Sequence, residues 1–94
     1  MQESPRHVEK EVRVLNSHGF HMRPATEFVT EAGKYACQIQ VINGPTVVDG
    51  KSAMDLMLLG AVHGTVLKLV ADGDDAEAAV LALAKLFEER FHVE

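Results

Sequence analysis

Along this 94-residue chain the spacing of apolar residues switches repeatedly between two and about 3.6, and this switching constrains the fold more than any other feature. Val12 and Val14 alternate with Glu11 and Arg13, as in a strand with one dry face, and that strand is predicted to end near Leu15. Asn16-Ser17-His18-Gly19 reads as a turn. After it Ala25, Phe28, Val29 and Ala32 share one face of a helix that stops at Gly33. Cys37, Ile39 and Val41 then alternate with Gln38 and Gln40 until Asn43-Gly44-Pro45 breaks the run, and residues 46–48 make a short strand ended by Asp49-Gly50. The two strands pair most simply as a hairpin. Ser52 followed by Asp55 has the pattern of a capping box before a short apolar helix over 54–59, with Gly60 as its stop. Residues 65–71 are β-branched and leucine-rich, as suits an interior strand. Asp74 and Glu77 repeat the capping pattern, and Ala76, Ala79, Val80, Leu83, Leu86 and Phe87 form the stripe of a last helix ending near Arg90.

The order strand, helix, strand, strand, helix, strand, helix predicts an α+β fold: a four-stranded, mainly antiparallel sheet with its helices on one face, an open-faced sandwich. Pattern alone does not separate its strand order from that of ferredoxin-like domains. The length allows one domain, assigned to residues 11–94, and residues 1–10 lack apolar periodicity and read as a flexible N-terminal extension. A single cysteine, Cys37, cannot form an internal disulfide, so packing must hold the fold. A formal charge of -5 argues against a sequence-independent grip on nucleic acid or anionic membrane. No run approaches the ~20 apolar residues of a membrane span, and the expected location is cytoplasmic.

The chemistry concentrates in Gly19-Phe20-His21-Met22-Arg23-Pro24-Ala25. Proline is tolerated in a first helical turn, so Pro24 places His21 at or next to the N-cap of the first helix. The free N–H groups of Met22 and Arg23, with the positive end of the helix dipole, then favour an anion beside the imidazole. A neutral imidazole can act as nucleophile and later leave, so it can take up a phosphoryl group and release it. Arg23 can hold phosphoryl oxygens bidentately, and Gly19 lets the loop approach closely. His18 and His21 are three apart, a spacing open to metal, but no companion motif accompanies them and no metal is expected. His7, His63 and His92 read as surface residues.

This signature, continued by Phe28-Val29, Lys51-Ser52-Ala53-Met54, Leu58-Leu59-Gly60, Gly64-Thr65-Val66 and Gly73-Asp74-Asp75-Ala76, resembles HPr, the histidine-containing phosphocarrier of the bacterial phosphotransferase system, from residue 11 to residue 91. The resemblance implies the HPr-like sandwich with strand order 1-4-2-3, and a monomeric relay rather than a stand-alone enzyme, working without a cofactor. It implies that enzyme I phosphorylates His21 at Nδ1, that Arg23 stabilises the phosphoryl group, and that a IIA domain of a sugar permease receives it. Ser52 matches the regulatory serine that HPr kinase/phosphorylase modifies in catabolite control. Asp55 departs from the family's usual glycine or lysine, and its carboxylate would oppose a phosphate three residues away. Ala53, Met54, Met57 and Phe20 are assigned to the partner-binding surface, with Met54 the methionine expected to be exposed. Two other readings remain at this point: a nitrogen-type regulatory phosphocarrier, and a binding module of the same fold that carries no phosphoryl group.

Overall fold

The computed structural model describes residues 6–92. Its elements run β1 (His7–Arg13), α1 (Met22–Ala32), β2 (Gln38–Asn43), β3 (Thr46–Asp49), α2 (Ala53–Met57), β4 (Val66–Asp72) and α3 (Ala76–Glu88), followed by a tight 3-10 turn, Arg90–His92. The four strands form one sheet in the order β1-β4-β2-β3 with every neighbouring pair antiparallel. This is the open-faced α+β sandwich that the changes of period imply, with β2 and β3 as the expected hairpin.

Register explains the core. Val12 stands opposite Leu67, and Leu69 stands opposite Val41, so apolar side chains from three strands meet on the helix-covered face. Phe28 and Ala32 of α1, Leu56 of α2, and Val80, Leu83 and Phe87 of α3 close over them, all buried. Each predicted helical stripe faces this core, although Leu86 and Val29 are only partly buried at its rim.

Four of the boundaries that differ from the sequence expectations have a clear physical reason. β1 begins at His7, not at Glu11, and pairs with β4 along its whole length. The sequence hides this because Lys10 interrupts the alternation Val8, Lys10, Val12, Val14 with an exposed cation, which lines a surface hollow together with Ala84, Phe87 and Glu88. Residues 1–5 of the proposed extension lie outside the described residues. On the outer face His7 links Glu9, at 2.7 Å, to Asp72, and Lys68 reaches Glu9 at 3.4 Å. The hydrogen bonds that the His7 ring donates to the Glu9 carboxylate and then to that of Asp72 favour its imidazolium form and raise its pKa above the usual histidine value.

The second difference is at α2, which ends at Met57 with Leu58 as C-cap, two residues before Gly60, whose φ of +69° turns the chain away. The third is the start of α3. Its N-cap is Asp75, which makes no side-chain cap bond, because its carboxylate instead accepts the N–H groups of Ala36 and Cys37 at 2.8 and 3.0 Å. The Asp74/Glu77 box is therefore not used as a cap. The fourth is the end of α3 at Glu88: Arg90, Phe91 and His92 all have positive φ, and the turn swings Phe91 back into the core.

Candidate phosphoryl-acceptor site

The loop before α1 is held from both sides. Asn16, fully buried, donates through its Nδ2 to the Gly19 carbonyl, and the Gly19 N–H returns to the Asn16 carbonyl at 3.2 Å. The Phe20 N–H reaches the Ala61 carbonyl at 3.0 Å, tying this loop to the one after α2. Gly19 has φ +75°, and a Cβ there would stand 2.7 Å from the Ala61 oxygen, so both backbone conformation and close approach require glycine. Phe20 then turns inward, 5% exposed, with its ring against Phe28, Phe87 and Phe91 at centroid distances of 6.0, 5.8 and 5.5 Å. Its assignment to a partner-binding surface is corrected accordingly: an aromatic next to the histidine was read as a contact, and it is an anchor that fixes where the histidine begins.

His21 is the N-cap of α1, with extended backbone (φ -102°, ψ -165°) and a carbonyl that accepts the first helical bond from Ala25 at 3.0 Å. Its side chain makes no capping bond, and the first turn carries no acidic residue. The N–H groups of Met22 and Arg23 lie before the first intrahelical donor, and Pro24 has none to satisfy. Pro24 and Ala25 are buried, which seats the turn, while His21, Met22 and Arg23 are exposed. Arg23 makes no ion pair or hydrogen bond with any described residue. With Thr26 and Glu27 these three residues line an open surface hollow. The structure thus brings His21, Arg23 and the helix terminus together as the sequence predicts. His18 is exposed close by, its ring edge-on to that of His21 with centroids 6.2 Å apart.

Ser52 is the N-cap of α2, and its Oγ accepts the Asp55 N–H at 3.2 Å. The reciprocal half of the box is missing, since Asp55 Oδ2 lies 3.5 Å from the Asp49 N–H instead. α2 packs on α1 and leaves an apolar fringe in water: Met54 is 69% exposed, as expected, and Leu58, which the sequence does not single out as a contact residue, is 73% exposed. Met57 is exposed to a lesser degree and Ala53 is half-buried. A separate hollow of about 410 Å³ lies along β2 and β3, but its one cation, Lys51, is committed to the Tyr35 carbonyl at 2.7 Å. No group of three His, Cys, Asp or Glu side chains is placed to hold a metal ion among the described residues, and no helix among them is long and apolar enough to cross a membrane.

Sequence reading missed three residues of this neighbourhood. Asn16 was one member of a turn cluster; its position three before Gly19 was the available signal for a side-chain staple. Glu27 shares a helix face with Arg23 at i,i+4, a signal present but unused. His92, read as a surface residue, is exposed but bonded to Glu27, 65 positions away, and nothing local announces that.

Fold and site together define a class: a small α+β sandwich that displays an imidazole at an uncapped helix terminus, in the open rather than in a cleft. The chain matches the PTS-HPr family model, described as the PTS HPr component phosphorylation site, over residues 8–89. It is 43% identical over 82 residues to the phosphocarrier protein HPr of Pseudomonas aeruginosa, covering 86% of this chain and 91% of that protein. Among solved structures, HPr-C-His from Thermoanaerobacter tengcongensis superimposes with a TM-score of 0.88 at 42% identity, over 93% of this chain and 98% of the other. An HPr dimer from the same organism gives 0.72 at 44% identity, over 85% and 92%. The chain belongs to the HPr family and is a phosphocarrier of the phosphotransferase system.

Proposed function

We propose that His21 carries the phosphoryl group, taking it from phosphorylated enzyme I and passing it to a histidine on a IIA domain of a sugar permease. The observation that carries this reading is the uncapped N-terminus of α1, where an exposed imidazole, two unspent N–H groups and an unpaired guanidinium surround one open hollow. In the first transfer a neutral His21 nitrogen, Nδ1 in the family, attacks the phosphorus on the donor. The new N–P bond forms as the donor's N–P bond breaks, and one proton goes to the released donor imidazole. Arg23 and the helix terminus stabilise the oxygens throughout. The second transfer repeats these steps with His21 as leaving group. Both steps exchange one N–P bond for another, so the group moves in either direction at little cost.

The apolar fringe of Met54, Met57 and Leu58 is the docking surface for both partners in this reading, since pliable methionines suit more than one contact. The carrier acts as a monomer. Ser52 is the second modification site, where a phosphate at the start of α2 would alter docking through charge without unfolding the domain.

Incubation with enzyme I and phosphoenolpyruvate tests the main reading: acid-labile phosphate appears on the wild type and is absent from His21→Ala. Equal labelling of the two would remove His21 from the relay. Label from ATP and HPr kinase/phosphorylase, lost in Ser52→Ala alone, is the matching test for Ser52.

A further inference from the structure

Arg23 and Glu27 are i,i+4 neighbours on α1, the spacing at which a guanidinium and a carboxylate normally pair, and both line the hollow beside His21. They are not paired. Glu27 Oε2 instead lies 3.1 Å from Nδ1 of His92, whose Nε2 lies 3.0 Å from Glu89 Oε1. The C-terminal turn is built to deliver that ring: three successive residues with positive φ reverse the chain, and Phe91 is buried against Phe87 at a centroid distance of 4.8 Å. Such a backbone is costly for residues other than glycine and asparagine, and the aromatic seat offsets the cost.

We propose that His92 is a positioning residue for phosphoryl transfer, holding the Glu27 carboxylate away from Arg23 so that the guanidinium stays free for the phosphoryl oxygens. With His92 removed, Glu27 has Arg23 as its nearest cation along the helix face. It then competes with the phosphoryl group for the same donors and places a negative charge beside it. The charged groups facing the His92 ring are Glu27 from α1 and Glu89 at the end of α3, the latter shared with Lys85 at 3.9 Å. The bond to Glu27, foremost, raises the pKa of His92 above the usual histidine value, so the latch is firmest on the acid side and opens as pH climbs.

This inference rests on Arg23 as a phosphoryl ligand, and the test separates the two ideas. Initial rates of transfer from phosphorylated enzyme I are measured across pH 6 to 9, a range of about three units around the histidine value, for wild type, His92→Ala, His92→Gln, Glu27→Gln, His92→Ala/Glu27→Gln and Arg23→Ala. His92→Ala is expected to be slower by about threefold at the acid end, the scale of one exposed charge pair. The deficit should vanish at the alkaline end and be abolished by adding Glu27→Gln. His92→Gln, which can still donate a hydrogen bond, should fall between, with rates independent of the latch's titration. If His92→Ala matches wild type at every pH, or if Glu27→Gln fails to rescue it, the positioning role is wrong even where Arg23→Ala is severely impaired. If Arg23→Ala transfers as fast as wild type, the phosphoryl ligand itself is misassigned and this inference falls with it.

Discussion

Single residues tie distant segments of the fold together away from the chemistry, and Asp75 is the clearest. Its carboxylate accepts two N–H groups from the segment entering β2, and the bond from Ala36 contributes most to holding its pKa below the usual aspartate value. A carboxylate depressed in this way contributes stability that is complete above the unfolded aspartate range and is lost as pH falls through the folded value. Asp75→Asn should therefore melt several degrees below wild type at pH 7, and the gap should close on acidification below about pH 4, as thermal melts at a series of pH values would show. A melting point for Asp75→Asn equal to wild type at neutral pH would refute this. From sequence Asp75 is one residue of the stretch Gly73-Asp74-Asp75-Ala76, with the capping role given to Asp74. Its real partners are nearly forty positions away, and long-range backbone acceptors leave no local mark. The placement of His21 and Arg23 at a helix start, by contrast, was legible because proline, glycine and the cap requirement act over a few neighbouring residues.

At the scale of elements, α1 is a helix whose terminus is left chemically unspent: histidine is a poor cap, no acid follows, and Pro24 replaces one donor. Helix stability and anion binding therefore compete for the same groups. Met22→Glu should stabilise the domain by about 0.3–1 kcal/mol by satisfying the dipole, and slow phosphorylation of His21 by enzyme I by placing a permanent negative charge there. A variant that is more stable yet phosphorylated at an undiminished rate would break the link. Helix stripes and strand alternation were readable wherever side chains followed one rule. Pattern fails at Lys10, an exposed cation in the alternation otherwise made by Val8, Val12 and Val14, and at the start of α3, where the cap falls on Asp75 rather than on the expected Asp74 and its carboxylate is turned to the segment entering β2.

For the whole molecule, the aromatic cluster of Phe20, Phe28, Phe87 and Phe91 joins the loop before α1, the helix itself, α3 and the C-terminal turn in one packed unit. Phe91→Ala should cost about 3–5 kcal/mol, a large part of the total of about 5–15 kcal/mol typical of such domains, and release the turn that carries His92. Chemical denaturation would measure the first effect, and backbone amide exchange of the segment after α3 the second; a loss well under 1 kcal/mol, the scale of an ordinary surface substitution, would show that the cluster does not depend on its fourth ring. The strand order, with β4 between β1 and β2, follows from handed connections only once a family pattern supplies the choice between two permitted topologies, which is why periodicity by itself left it open. With His21 as the proposed carrier, the openness of its hollow bears on the fate of a phosphoryl group held there. Nothing lining it can exclude solvent, so between encounters a phosphorylated ring would face the water that can hydrolyse it. Each docking protein must therefore supply the dry enclosure, and the carrier has only to arrive before hydrolysis does.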